Sequence, residues 1–193
     1  MTHKPSAGTI SEQQILSYDE IRDQIETGDF LFCSGNYPLS QLIQQATSSI
    51  WSHVGTIIRS REFDRVFVIE SVEDAGVRLF PLSNYLENYQ SNKPYFGKLF
   101  IAKTRRRVEL ANGLDWAFEK IGTRFDYEEF IKIATRIIVG GGKHGNDSKF
   151  ICSELVEAIW RISGYQIAFD RRGFISPDNI WEDPIVGSYF RIQ

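Results

Sequence analysis

Cysteine and histidine are scarce in this 193-residue chain: Cys33 and Cys152, with His3, His53 and His144. Two cysteines cannot build a disulfide framework. With no histidine or cysteine at paired ligand spacing, the sequence offers no structural zinc site, and no metal or cofactor is expected. There are 6 prolines against 14 phenylalanines, and aromatics make up 13% of the chain, which argues against a mainly disordered protein. Long apolar runs are absent, so no transmembrane helix is expected. The opening Met1-Thr2-His3-Lys4-Pro5-Ser6 has no apolar h-region, so no secretory signal is read there and the expected compartment is the cytosol. Charge of one sign is also lacking. The net charge is −3, a balance that gives no field to attract nucleic acid or an anionic membrane. No repeat or low-complexity block is present.

An apolar fraction of 42% over this length suits one folded domain, expected at 11–193 behind a loose tail at 1–10. Residues 11–27 read as a helix, with Ser11 as a candidate N-cap and Ile15, Leu16, Ile21 and Ile25 partly periodic. Gly28-Asp29 punctuates, and 30–33 reads as a buried strand. Pro38 opens a short helix over 38–47, with Leu39, Leu42, Ile43 and Ala46 on one face. Strands are predicted at 53–59, 65–71, 76–80 and 97–103, with a short helix and loop over 81–96. Helices follow at 108–121, 127–139 and 151–163, the last ended by Gly164. The tail 165–193 reads as irregular, with Ser176-Pro177-Asp178 as a helix start. Strands in the middle and helices after them predict an α+β fold, an antiparallel sheet with helices packed on it.

Cys152 carries the most information. Asp147 and Ser148 are helix-capping types, which puts Cys152 in a first helical turn. Unsatisfied amides and the helix dipole there favour a thiolate, and a thiolate is a nucleophile. The same stretch has Leu155, Val156 and Ile159 at i+3, i+4 and i+7, a spacing that by itself favours an inert core cysteine. His53 opens a strand on which Gly55 leaves room beside the imidazole. A histidine is the usual base for a thiol, although a strand histidine is often structural. Glu70 ends an apolar strand and shares a face with Val66 and Val68. A carboxylate there wants a partner, and an imidazole would supply one, as in the third member of a triad. A solvated strand end is the alternative.

Other features are plainer. Cys33 sits in an apolar strand and reads as core. The loop at 140–145 lacks the ending of a phosphate loop, and His144 within it reads as solvated. Asn146-Asp147-Ser148 matches a glycosylation sequon, a frequent chance match. Arg105-Arg106-Arg107 and Arg171-Arg172 are too short for nucleic-acid patches. Trp51, Trp116, Trp160 and Trp181 read as core or rim.

Taken together, three segments carry a resemblance. Thr27-Gly28-Asp29-Phe30-Leu31-Phe32 resembles the Gly-Asp strand start of the NlpC-type papain-like superfamily. Ser52-His53-Val54-Gly55-Thr56-Ile57 resembles its histidine motif, and Phe150-Ile151-Cys152-Ser153-Glu154-Leu155-Val156 its nucleophile motif. In the ordinary family the cysteine precedes the histidine; here it follows. That order is similar to the circularly permuted branch, the YiiX/YaeF-like proteins, which are related to lecithin:retinol acyltransferase-like proteins. The resemblance implies a permuted papain-like fold, a small antiparallel sheet or barrel packed against helices. It implies Cys152 as nucleophile, His53 as base and later acid, and Glu70 as the orienting member. It also assigns Ser52, Phe125 and Tyr127 to the substrate wall. The stretch 122–127 is similar to the family's Gly-x-Pro-Tyr-Asp, but Arg124 and Phe125 replace the Pro and Tyr, which removes a hydroxyl that Tyr127 would have to supply.

The function expected is a thiol-dependent hydrolase that cleaves an amide through an acyl-enzyme on Cys152. Its partner would be a small-molecule, peptide or lipid substrate with a carbonyl target, and not nucleic acid. Two alternatives stand beside it: a lipid acyltransferase or thioesterase with the same Cys-His-Glu set, and a non-catalytic module for an amino-acid-like ligand. A membrane-surface lipid enzyme is a further variant, with Tyr89, Tyr95 and Phe96 as an apolar rim, but nothing else indicates a membrane partner. Oligomeric state is not legible.

Overall fold

Seven strands form one sheet, β1 (Ile15–Leu16), β2 (Phe30–Gly35), β3 (His53–Ser60), β4 (Arg65–Val72), β5 (Gly76–Pro81), β6 (Gly97–Thr104) and β7 (Val186–Ile192). The computed structural model describes residues 14–125, 151–169, 173 and 175–193. The strand order is β1-β7-β6-β2-β3-β4-β5, an open sheet rather than a closed barrel. Every pairing is antiparallel except the short β1–β7 pair at one edge.

The helices are α1 (Tyr18–Ile21), α2 (Pro38–Thr47), α3 (Leu82–Glu87), α4 (Ala111–Glu119), α5 (Cys152–Ile162) and α6 (Pro177–Glu182). The central strands are buried on both faces, which is why they read as continuous apolar runs. On one face Phe30, Phe32, Val54, Ile69 and Phe100 meet Leu155, Val156, Ile159 and Trp160 of α5 and Ile180 and Trp181 of α6. On the other, Leu31, Cys33, Ile57, Val68 and Ile101 meet Leu82 and Tyr85 of α3, with Ile21 and Ile25. Aromatic rings fill the first face: Phe30 stacks on Trp160 at 5.0 Å between centroids, and Trp51 lies 4.5 Å from Trp181.

Two elements differ from the sequence reading. The stretch 11–27 is not one helix. Within its described part, Ile15–Leu16 pairs with Arg191 and Ile192 of β7 before a four-residue α1 and a 3-10 turn at Arg22–Gln24. Ser17 is the N-cap there; its amide donates to the Glu20 carboxylate at 3.0 Å. The tail is likewise not irregular throughout. After α6 it forms β7, which pairs along β6 from Leu99↔Ile192 to Thr104↔Val186. The predicted helix at 127–139, the glycine loop at 140–145 and the tail at 1–10 lie outside the described residues.

The fold brings one helix end to one strand end. α5 packs across β3 and β4 and against α4. At Gly113 a Cβ would collide with the Ile159 carbonyl, so glycine sets how closely α4 approaches α5. The Gly113 amide also donates to Ser163 Oγ at 3.2 Å, just past the end of α5.

Candidate active site

Cys152 is the first residue of α5, with Ile151 at the N-cap. An isoleucine has no side-chain acceptor, so the cap is one-sided: the Ile151 amide donates to Glu154 Oε2 at 3.2 Å. The first helical bond runs from the Leu155 amide to the Ile151 carbonyl. The first-turn amides ahead of it have no intrahelical acceptor. Asp147 and Ser148, expected to cap this helix, lie outside the described residues. Ser153 is buried, and its hydroxyl donates to the Ile175 carbonyl at 2.8 Å, tying the first turn to the segment before α6.

His53 is the first residue of β3, at the end of the strand facing the start of α5. Its Nε2 lies 2.6 Å from Glu70 Oε2. Cys152 acts on the same ring and helps raise it, and with Nε2 engaged by the carboxylate, Nδ1 is the nitrogen left for the thiol. Cys152 is 7% exposed and the His53 side chain 14%. Burial opposes a charged imidazole, but Cys152 and then Glu70, by hydrogen bond and by charge, outweigh it. The result is an imidazole pushed up to about 10.

Glu70, in β4, is fully buried. Burial alone would raise its carboxyl. Its bonds and charge interactions with His53, Arg78 and Tyr85 hold it below the usual range instead. Arg78 Nε donates to Oε1 at 2.9 Å, and the Tyr85 hydroxyl donates to Oε2. Neither Arg78 nor Tyr85 stands out in the sequence.

Cys152, His53 and Arg78 line a cleft of about 470 Å³, with Glu70 and Tyr85 buried behind them. Phe125 lines it and packs with Leu39 and Ile43 of α2. Ser52 also lines it, but its hydroxyl already accepts from the Gly35 amide at 2.9 Å and donates to the Cys33 carbonyl at 3.2 Å. Tyr127 lies outside the described residues. Tyr37, Tyr89 and Tyr95 form an aromatic wall, with Tyr37 5.3 Å and Tyr89 4.9 Å from Tyr95 between centroids. Phe96, beside Tyr37, is 61% exposed. Cys33 is fully buried, and burial pushes its thiol well up. Among the described residues no three His, Cys, Asp or Glu side chains are grouped to hold a metal ion, and no helix is long and apolar enough to cross a membrane.

A model of the permuted papain-like amidase enzymes, the YaeF/YiiX or C92 family, matches residues 24–179. The chain belongs to this family. The C92 match spans all three segments that carry the sequence resemblance, in their permuted order. Among solved structures, the fold is similar to the crystal structure of the metalloprotein yiiX from Escherichia coli O157:H7. That likeness has a TM-score of 0.62 at 17% identity, and covers 85% of this chain and 96% of that one. No curated protein matches the chain. A C92 chain is a permuted papain-like amidase.

Proposed function

We propose that this C92 amidase opens an amide bond through an acyl-enzyme on Cys152, with His53 as acid and base and Glu70 as the group that orients it. One observation carries the reading: an imidazole held between a thiol at a helix start and a buried carboxylate 2.6 Å away. The thiolate attacks the carbonyl carbon, and the carbonyl π pair moves onto oxygen. First-turn amides of α5 offer donors to that oxyanion. As the oxyanion collapses, the C–N bond breaks and the imidazolium gives its proton to the leaving amine. The product is a thioester and a neutral imidazole. Water then gives a proton to His53 as its oxygen attacks the thioester, and collapse expels the thiolate, regenerating the ion pair. Phe125, Leu39 and Ile43 would form an apolar wall for the acyl side. The yiiX structure is titled a metalloprotein. Among the described residues of this chain no three His, Cys, Asp or Glu side chains are grouped to hold a metal ion.

The test joins a panel of amides, esters and thioesters to iodoacetamide labelling followed by mass spectrometry. Amides should turn over in the wild type and not in Cys152→Ala. His53→Ala should lose roughly 10²–10⁴-fold in rate and should slow Cys152 alkylation at pH 7. Turnover of esters or thioesters alone would shift the reading to acyl transfer. Cys152 labelling no faster than the buried Cys33 would remove the catalytic reading.

A further inference from the structure

The Glu70 carboxylate has an unusual set of neighbours for a group with no solvent contact. The titratable groups facing it are His53 on β3, Arg78 on β5, Tyr85 on α3, Tyr89 beyond that helix and Cys33 on β2. Cys152 faces His53 from α5. Of these, Arg78 is the one permanent cation. A buried carboxyl beside a histidine has two ways to be neutral overall: both charged, or the proton shared out so that neither is. Only the first lets it stabilise an imidazolium. A second positive charge on the far oxygen decides between them, because it stabilises the carboxylate without competing for Oε2.

We infer that Arg78, with Tyr85, is a positioning residue of this site that keeps Glu70 ionised and aimed at His53, so that the imidazole stays charged for the thiol. The inference rests on the acyl-enzyme reading above and deepens it. Three observations support it. Arg78 Nε takes Oε1 at 2.9 Å while His53 and the Tyr85 hydroxyl share Oε2, so the carboxylate is held at both oxygens and cannot rotate away. The guanidinium is braced over the Phe80 ring at 4.0 Å, which fixes its plane. Its Nη2 is buried with no hydrogen-bond partner. Arg78 also lines the cleft, so its guanidinium sits between Glu70 and the open site.

The test is an NMR titration of carbon-13-labelled histidine in the full chain, with His53→Gln identifying the His53 signal among the three histidines. Thermal melts and Cys152 alkylation at pH 7 run alongside. Arg78→Met should move the His53 titration away from its wild-type position and slow Cys152 alkylation at pH 7. Arg78→Lys keeps the charge and should recover most of the shift. Tyr85→Phe should move His53 the same way by less. A merely structural Arg78 would lower the melting temperature and leave the titration where it was; that result overturns the inference. Should Arg78→Met fail to fold, Tyr85→Phe and Arg78→Lys decide, and no movement in either overturns it as well. The titration needs no turnover. Amide hydrolysis with an unmoved His53 sinks this inference alone, whereas a moved His53 without hydrolysis sinks the acyl-enzyme reading alone.

Discussion

At the scale of single residues, Gly55 shows how tightly the charged centre is packed. It lies one step along β3 from Thr56, which pairs with Ile69, and so stands opposite Glu70. A Cβ there would collide with Val68 Cγ1 and come within 3.3 Å of the Glu70 Cβ. The sequence suggests that Gly55 makes room beside the imidazole; the room is used by the neighbouring strand. Gly55→Ala should therefore displace the carboxylate. We expect a loss of about 1–3 kcal/mol, typical of overpacking, with slower Cys152 alkylation at pH 7. Urea melts and labelling kinetics check the two parts; an unchanged labelling rate in a destabilised protein would separate Gly55 from the site. Cys152, His53 and Glu70 were named together only through the family resemblance, since the residue pattern alone left each of them a structural alternative. Arg78 was not, because an arginine in a half-buried strand looks like its solvent face. A signal was available: Val72 pairs with Gly76, so the same hairpin register sets Glu70 against Arg78. Tyr85 had no such signal, since only the docking of α3 on β4 and β5 brings its hydroxyl to Glu70.

At the scale of elements, the nucleophile is placed by helix packing. α5 carries Cys152 at one end and, near the other, the Ile159 carbonyl against which Gly113 of α4 fits. Gly113→Ala puts a methyl into that carbonyl and crowds Ser163, so α5 must shift along or away from the sheet. We expect a cost of about 1–3 kcal/mol and a fall in Cys152 reactivity although the substitution acts about two helical turns from the thiol. A variant that loses stability but labels like wild type would show that the first turn is held by Ser153 and Ile175 instead. Elements were readable where local pattern and packing agree. α2 opens at Pro38 and spans the predicted residues, and the strands from β2 to β6 are apolar runs between turn residues. β7 escaped because its burial alternates poorly, with Gly187 and Ser188 inside it and only Val186 and Ile192 buried. The N-terminal segment misled because Ile15 and Leu16 are adjacent, which suits an edge strand on β7 better than the face of a helix.

At the scale of the whole molecule, the same charges tie stability to pH. His53 is raised from 6.5 to about 10 in the folded protein. A group raised on folding contributes fully below its unfolded value and loses that contribution as pH climbs to its folded one. The His53 contribution is therefore complete below about 6.5 and fades between there and about 10. Glu70 is lowered, so its contribution is present above the unfolded carboxyl value and is lost as pH falls through the folded one. Tyr85 and Tyr95 are raised by burial, so they resist ionisation in the fold and add to the alkaline loss at still higher pH. Urea midpoints measured from pH 6 to 10 should fall for the wild type across the window in which His53 releases its proton. His53→Gln should be flatter over that same window. Parallel curves from pH 6.5 to 10 would mean that the imidazole is not held charged by the fold. Among the described residues, the start of α5 would then be left as a source of positive potential to favour the Cys152 thiolate.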